Sequence, residues 1–174
     1  MRWTCGIFVG LGLFFAGCGD KGGSSDSGDD SFSCPEVSVS SSSIEATVDG
    51  HAWVDASVTW VWAGSTLQLN STEADGFNMS FALRETTDGT AIDDAIESGI
   101  GPYVVDLGPD GGGFALLYAG SGSYASEEPE GSGTMIIAEV TDTEVAACFT
   151  YRAASAAGET LDVESGQLRA VPFQ

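Results

Sequence analysis

The segment "EVAACFTYR" (residues 144–152) alternates apolar side chains with residues of other kinds. Successive side chains of a β-strand point to opposite faces of its sheet, so an alternating segment has one apolar face. Cys148 lies out of phase with the apolar set and therefore points away from the core. The sequence predicts a strand whose inner face carries Val145, Ala147, Phe149 and Tyr151.

Short runs of the same kind recur along the chain, separated by Gly, Asp, Ser and Pro, which favour turns. In "IEATVD", every second residue from Ile44 is apolar, and the Asp49-Gly50 pair that ends it is a hairpin signal. The run "TAIDDAIES" (residues 90–98) instead has apolar residues at helical spacing. The predicted fold class is all-β, a single antiparallel β-sandwich or open barrel of about nine strands with one short helix.

The run "WVDASVTWVW" (residues 53–62) is interpreted as one of these strands. Continuous alternation would place five apolar side chains on one face of it. These are Val54, Ala56, Val58, Trp60 and Trp62.

The chain begins with a short basic region and an uncharged, mostly apolar run that ends near Cys18. This is the form of a secretory signal sequence, and the run is shorter than the roughly 20 apolar residues of a membrane-spanning helix. The sequence Phe15-Ala16-Gly17-Cys18 resembles the lipobox of bacterial lipoproteins, in which the cysteine is lipidated and becomes the mature N-terminus. The alternative is an ordinary cleaved signal peptide with an incidental cysteine.

Glycine, serine and aspartate dominate the residues that follow Cys18. Such a segment cannot bury enough apolar surface to order itself, so it is interpreted as a flexible tether. The predicted organisation is a signal peptide over residues 1–17, lipidated Cys18 with its tether over residues 18–43, and a β domain over residues 44–174. We expect the protein in the bacterial cell envelope, at the outer membrane or cell surface rather than at the inner membrane.

Cys34 and Cys148 are the two cysteines that remain when Cys5 leaves with the signal and Cys18 carries lipid. An exported chain meets an oxidising compartment, in which such a pair is most simply a disulfide. Free thiols or a metal pair are the alternative, but the histidines and close spacing of a zinc site are missing. We therefore predict a disulfide that ties a peripheral N-terminal segment to the outer face of a late strand.

The chain carries 26 acidic residues against five Lys and Arg, a formal net charge of −21. Nucleic-acid binding needs clustered Lys and Arg, so a nucleic-acid partner is excluded. Anionic lipid headgroups would repel the domain, and we expect the lipid on Cys18 to supply its membrane association. The charge is interpreted either as a solubilising surface or as an acidic binding surface.

Several motifs follow one another along the β domain: "ATVDGHAW" (residues 46–53), Gly101-Pro102-Tyr103, "SGTMII" (residues 132–137) and "GETLDVESGQLRAVPF" (residues 158–173). In this order they resemble a family of small secreted bacterial lipoproteins of unknown function. That family has an A-x-x-x-G-x-x-W start, a G-x-Y middle, an S-G-x-x-x-I strand and a G-x-F-like end. The resemblance implies an all-β fold and an anchored location, and it supplies no catalytic residue.

Few residues are available for catalysis. His51 is the only histidine, and it follows the predicted hairpin turn, where an exposed histidine is ordinary. Carboxylates are plentiful, so a surface hydrolase that uses Asp55, or Asp93 and Asp94, is an alternative function from another class. One histidine cannot build a histidine-based zinc or iron site. We predict no catalytic residue, no metal site and no cofactor.

A possible ligand surface is predicted where aromatic residues and a carboxylate occur together. Asp55 lies among Trp53, Trp60 and Trp62, and a carboxylate beside exposed indoles is typical of glycan sites. The same alternation is more often found in a core, so the burial of the indoles separates the two interpretations.

Calcium is a further candidate ligand, at "DSGDD" (residues 26–30) or at "GPDGGG" (residues 108–113). Neither segment has the ligand spacing of an EF-hand loop. The predicted function is a lipid-anchored envelope lipoprotein with a non-catalytic binding or structural β domain, whose partner is an envelope protein or a glycan. The alternative is a glycan- or calcium-dependent surface binding module.

Overall fold

The computed structural model describes residues 32–174, except Ala56, Asp75 and the side chain of Asp55. The predicted signal peptide, Cys18 and the "DSGDD" segment lie outside the described residues, so these predictions stay predictions. The described residues belong to one compact unit. Within the described part of the chain, no helix has the length and apolar character needed to cross a membrane.

The described residues form eleven β-strands and one short helix, which confirms the predicted all-β class. Two more strands are present than predicted, because one predicted strand is two and because β8 was not foreseen. The elements are β1 (Ser43–Val48), β2 (His51–Asp55), β3 (Val58–Ala63), β4 (Thr66–Ser71), β5 (Phe77–Leu83), α1 (Ile92–Ser98), β6 (Tyr103–Leu107), β7 (Gly113–Ala119), β8 (Gly122–Ala125), β9 (Ser132–Val140), β10 (Val145–Ala154) and β11 (Thr160–Pro172).

Backbone pairing closes eight of the strands into a ring, in the order β11-β3-β4-β5-β7-β6-β9-β10 and back to β11. Two junctions in the ring are short and parallel: β11 meets β3 through two residue pairs, and β6 meets β7 through one. The other six junctions are antiparallel. The prediction of a wholly antiparallel sheet is therefore corrected at two places.

The two parallel junctions divide the ring into halves. The neutral half contains β3, β4, β5 and β7, with β8 paired to β7 at its edge. The charged half contains β6, β9, β10 and β11, with the β1–β2 hairpin paired to β11. Phe81 of the neutral half contacts Phe149 and Tyr151 of the charged half, with ring centroids 4.9 and 5.9 Å apart. The inner faces of the two halves thus enclose one core.

The alternation predicted for β1, β5 and β10 is confirmed, because their apolar sets face this core. The hairpin between β1 and β2 turns at Asp49 and Gly50, as predicted. Their φ angles are 48° and 80°, and a two-residue type I′ turn requires positive φ at both positions. Aspartate and glycine tolerate that backbone region, which is why the pair marks the turn in the sequence.

The prediction that "WVDASVTWVW" is one strand was wrong. β2 ends at Asp55 and β3 begins at Val58, so the alternation is interrupted between them. Trp53 pairs with inward-facing Ala46 and is 2% exposed, whereas Val54 is 55% exposed. The hairpin register with β1 sets which residues of β2 face inward, and a pattern counted through the break assigns Val54 to the wrong face.

The predicted helix is confirmed but shorter, over Ile92–Ser98. Ile92 and Ala95 face the core, and the helix ends at Gly99, whose φ of 68° is left-handed. Glycine adopts that conformation without steric cost, which makes it a common helix terminator.

Residues 32–42, named here the N-terminal strap, lie on the outer face of the charged half. Val37 and Val39 are buried there against Ala146 and Cys148, in an apolar cluster separate from the main core. The Sγ atoms of Cys34 and Cys148 are 2.04 Å apart, so the predicted pair is at disulfide distance. The strap is thus attached through the outward-facing cysteine of β10.

Hydrogen bonds from β11 also hold the strap. Nη2 of Arg169 donates to the Val37 carbonyl oxygen at 2.9 Å, and Oε1 of Gln167 accepts from the Ser38 backbone N–H at 3.0 Å. The predicted tether therefore does not extend unchanged to residue 43, because two alternate valines give its last third an apolar side to bury.

Candidate functional site

The predicted tryptophan surface is not assembled. Trp53 is in the core, and its Nε1–H donates to the Ala74 carbonyl oxygen at 2.8 Å, so its inclusion in a ligand surface was wrong. Trp60 is half-buried against the core, and its buried Nε1 has no hydrogen-bond partner in the described part of the chain. Trp62 is 37% exposed at the end of β3. The side chain of Asp55 lies outside the described residues, so its predicted role stays a prediction.

The candidate catalytic residues are dispersed. His51 is exposed at the start of β2, while Asp93 and Asp94 lie in the first turn of α1. No group of three or more His, Cys, Asp or Glu side chains among the described residues could hold a metal ion. His51 and the two aspartates therefore belong to different elements of the fold.

The glycines of "GPDGGG" have a packing role. A Cβ atom on Gly112 would lie 2.0 Å from the Glu85 carbonyl oxygen, and one on Gly111 would lie 2.3 Å from that of Asp106. Real Cβ atoms do not approach backbone oxygens so closely. The loop before β7 therefore needs glycine because neighbouring backbone passes against it, which explains the composition that suggested a calcium loop.

A shallow groove of about 300 Å³ lies on the charged half, over β9, β10 and β11. Its main polar feature is a bidentate salt bridge, in which Nε and Nη2 of Arg152 donate to the two carboxylate oxygens of Asp162, at 2.7 and 2.9 Å. These hydrogen bonds lower the pKa of Asp162 and raise that of Arg152. Both side chains are about half exposed, as is usual for a cross-strand surface pair.

A second groove, of about 350 Å³, lies beside α1 and contains several hydroxyl groups. The Thr86 hydroxyl donates to Oδ1 of Asp88 at 2.6 Å, and the Thr90 backbone N–H donates to the same oxygen at 3.1 Å. Those bonds lower the pKa of Asp88, with Thr86 the largest cause. The carboxylate is thus engaged in the turn that precedes α1.

The neutral half carries the most unusual surface of the described chain. None of the residues in β3, β4, β5, β7 and β8 is charged, although the whole chain has 26 acidic residues. In the charged half, by contrast, β1, β2, β6, β9, β10 and β11 all contain charged residues. The outer side of the neutral half is named here the neutral face.

Strand register places the outward side chains of the neutral face in three rows. The first row is Val61, Gln68, Ala82 and Phe114. The second is Thr59, Asn70, Ser80, Leu116 and Ala125. The third is Asn78, Tyr118 and Ser123. Hydroxyl and amide groups thus occupy the middle of the face, and larger apolar and aromatic groups lie along β7.

Large exposed hydrophobic side chains concentrate at this half. Four of the six in the described chain belong to it or adjoin it. They are Val61, Trp62, Tyr118 and Phe173, whose backbone N–H donates to the Trp60 carbonyl oxygen. Charge is found only at the ends of the strands, where Arg84 lies 5.9 Å from the centre of the Phe114 ring and 3.8 Å from Glu127.

Sequence reasoning missed this face, although the sequence carries its signal. The signal is a set of strand-like runs without any charged residue in a chain of net charge −21. The net charge of the whole chain does not show how the charged residues are distributed, so it conceals the lack of charged residues in the strands of the neutral half.

No protein-family model, no curated protein and no solved structure significantly matches this chain.

Proposed function

We propose that this protein is a lipid-anchored binding module of the bacterial cell envelope, which binds its partner non-catalytically through the neutral face. One observation carries the proposal: among the described residues, the N-terminal strap covers the outer face of the charged half, whereas no strap covers the neutral face and its strands contain no charged residue. A surface of this size without charge is a feature of recognition surfaces, whose centres are depleted of charged residues.

The chemistry of the two described grooves also supports a binding role. Neither described groove combines a histidine with a nucleophile, and the shifted pKa values of Asp162, Arg152 and Asp88 arise from local hydrogen bonds at the surface. Perturbed titratable groups that converge in a cleft are the usual sign of an active site. Here Asp88 lies in a surface turn, and Arg152 and Asp162 form an exposed pair. Tyr151 also lines the first groove, but the pKa of its phenol is raised by burial in the core.

Lipid anchoring is proposed from the lipobox-like residues before Cys18 and from the Gly, Ser and Asp segment after it. The Cys18→Ser variant tests it. We expect the wild-type protein in the membrane fraction and the variant in the non-membrane fraction, because one thiol is the site of acylation. A variant that stays in the membrane fraction contradicts the anchor.

Site-specific photocrosslinking in intact cells tests the binding role. A photoreactive residue at Leu116, in the middle row of the neutral face, should give a covalent adduct with an envelope component. The matched control places the same residue at Glu164, which is exposed on β11 of the charged half. Equal labelling from both positions, or none from Leu116, contradicts the proposal.

We also propose that the ring of eight strands is a flattened barrel. Continuous pairing around the ring supports a barrel, and the two short parallel junctions give it flat sides like those of a sandwich. Amide hydrogen exchange tests this, because protected N–H groups at both junctions are expected of a closed barrel and fast exchange there is expected of two separate sheets.

A further inference from the structure

The middle of the neutral face offers hydrogen-bonding groups without charge. Thr59, Asn70 and Ser80 are direct neighbours across β3, β4 and β5, and Gln68 lies two residues from Asn70 on β4. Neither the Gln68 nor the Asn70 side-chain amide makes a hydrogen bond within the described part of the chain. Each of these groups both donates and accepts, so together they match a ligand that is itself rich in hydroxyl groups.

Asn78 extends this set toward β7, and its orientation is fixed. Its Nδ2–H donates to the Ser71 carbonyl oxygen at 2.7 Å. This bond holds the side chain in one rotamer, which leaves the amide oxygen as an acceptor beside the Tyr118 position of the adjacent strand. A held acceptor loses less conformational entropy on binding than a free side chain.

Tyr118 provides the aromatic part of the face. It is 45% exposed and pairs across the sheet with Asn78 on one side and Ser123 on the other. A tyrosine combines a flat apolar ring with a polar hydroxyl and loses little entropy when ordered. An exposed ring beside amide and hydroxyl groups suits a sugar ring, which has an apolar C–H face and a polar edge.

The dimensions of the face suit an extended ligand. Neighbouring strands are about 4.8 Å apart, so five strands present a surface roughly 19 Å across. Side chains two residues apart along a strand are separated by about 7 Å. Such a surface accommodates several linked sugar rings rather than one.

Charge discriminates among partners. A basic partner finds no carboxylate on the neutral face, while an anionic partner would be repelled by a chain of net charge −21. A second copy would bring two such chains together, and net charge this far from zero keeps proteins apart. A dry protein interface would also bury the central amides and hydroxyls without partners, which is costly.

We propose that the neutral face binds an uncharged polysaccharide, with Tyr118 stacking on a sugar ring and the amides of Gln68 and Asn70 bonding its hydroxyl groups. This inference rests on the proposed binding role. It differs from the predicted tryptophan and Asp55 surface in both position and charge.

Native affinity electrophoresis suits a protein this acidic, because it migrates quickly unless a neutral polysaccharide in the gel retards it. The full-length protein in non-ionic detergent would be run through gels containing mannan, dextran, β-1,3-glucan, xyloglucan or galactomannan. Alginate and polygalacturonate serve as anionic counterparts. We expect retardation by at least one neutral polymer and by neither anionic one.

Three variants define the site. Tyr118→Ala should weaken binding at least about tenfold, as truncation of an interface anchor does, and Tyr118→Phe should keep the affinity within about twofold. Ile100→Ala removes a side chain that is 80% exposed but lies outside the neutral face, and it should leave binding unchanged. Circular dichroism would confirm that each variant is folded.

Each other outcome overturns the inference. No retardation by any neutral polymer overturns it, and so does retardation that Tyr118→Ala leaves intact. A dimer in sedimentation that Tyr118→Ala dissociates assigns the face to a second copy instead. A protein adduct at Leu116 without retardation overturns the inference of a polysaccharide ligand and leaves the proposed binding role standing. If there is neither an adduct nor retardation, both the polysaccharide ligand and the proposed binding role are contradicted.

Discussion

The outer surfaces of the two halves of the ring differ. On the charged half, the N-terminal strap covers β10 and β11, and the disulfide, buried valines and Arg169 hold it there. On the neutral half, aromatic, hydroxyl and amide side chains are left open to solvent. Within the described residues, the strap covers one surface, and the other is the surface proposed to bind a partner.

This difference indicates that outward residues of the charged half stabilise the fold, whereas outward residues of the neutral half are proposed to bind a ligand. In the described chain, outward side chains of the charged half hold the strap, so removing one of them also removes a contact with the strap. We expect outward residues of the neutral half to contribute little to the stability of the fold, so their side chains can be suited to binding a ligand. Five predictions test this division.

Removing the disulfide should have the largest effect. Cys34 and Cys148 are separated by 114 residues, and closing a loop of that length contributes about 4 to 5 kcal/mol in the chain-entropy model. We expect the Cys34→Ala, Cys148→Ala double variant to lose most of this free energy in urea unfolding. A loss below about 1 kcal/mol would mean that the strap is held by its other contacts.

Gly166→Ala should be the next most damaging. A Cβ atom there would lie 2.2 Å from the ring of Phe149, so the core of the charged half would have to shift. Overpacking of this kind costs about 1 to 3 kcal/mol. Gly108→Ala is the matched control, because its nearest neighbouring atom would be 3.8 Å away, and equal losses from the two variants would contradict the packing argument.

Tyr151→Phe should stabilise the core that both halves share. The buried Tyr151 hydroxyl has no hydrogen-bond partner in the described chain, and burying such a group costs about 1 to 3 kcal/mol. We therefore expect a gain of about 1 kcal/mol in unfolding free energy at neutral pH. A loss instead would indicate a partner that the hydroxyl needs.

The same residue makes a pH prediction. Burial raises the pKa of Tyr151, so its phenol stays neutral in the folded state while the unfolded chain ionises near pH 10. Stability from this group is present below about pH 10 and falls as the pH rises above it. Tyr151→Phe should remove part of that decline when the unfolding free energy is measured across this pH range.

Substitutions on the neutral face should have the smallest effect on stability. Gln68→Ala and Asn70→Ala remove amides that contact no partner within the described chain, so we expect changes within about 0.5 kcal/mol. Thermal unfolding would measure this. A larger loss from either variant would show that the neutral face supports the fold, and the division between the halves would fail.

Much of the fold could be predicted because local signals were consistent with it. Alternation placed Phe149 inside and Cys148 outside, and the backbone requirement of the turn marked Asp49 and Gly50. The disulfide pair followed from the cysteine count and from the outward direction of Cys148. Each of these signals depends on a few neighbouring residues.

Signals that depend on distant strands were missed. The break before Val58 changes which residues face inward, and only pairing with β1 and β4 reveals it. β8 is too short to stand out, because its pairing with β7 rather than its composition makes it a strand. The neutral face needed the order of strands in the ring, since its rows join residues that are far apart in sequence.

β11 is the last of the eleven strands, yet it pairs with β10, β1 and β3. Synthesis proceeds from the N-terminus, so the first hairpin must wait for nearly the whole domain before it finds its neighbour. Contacts of such long sequence separation slow folding and leave strand edges unpaired in the meantime. The proposed export of the protein gives this delay a use, because a chain that cannot close its ring early stays extended enough to be carried across a membrane.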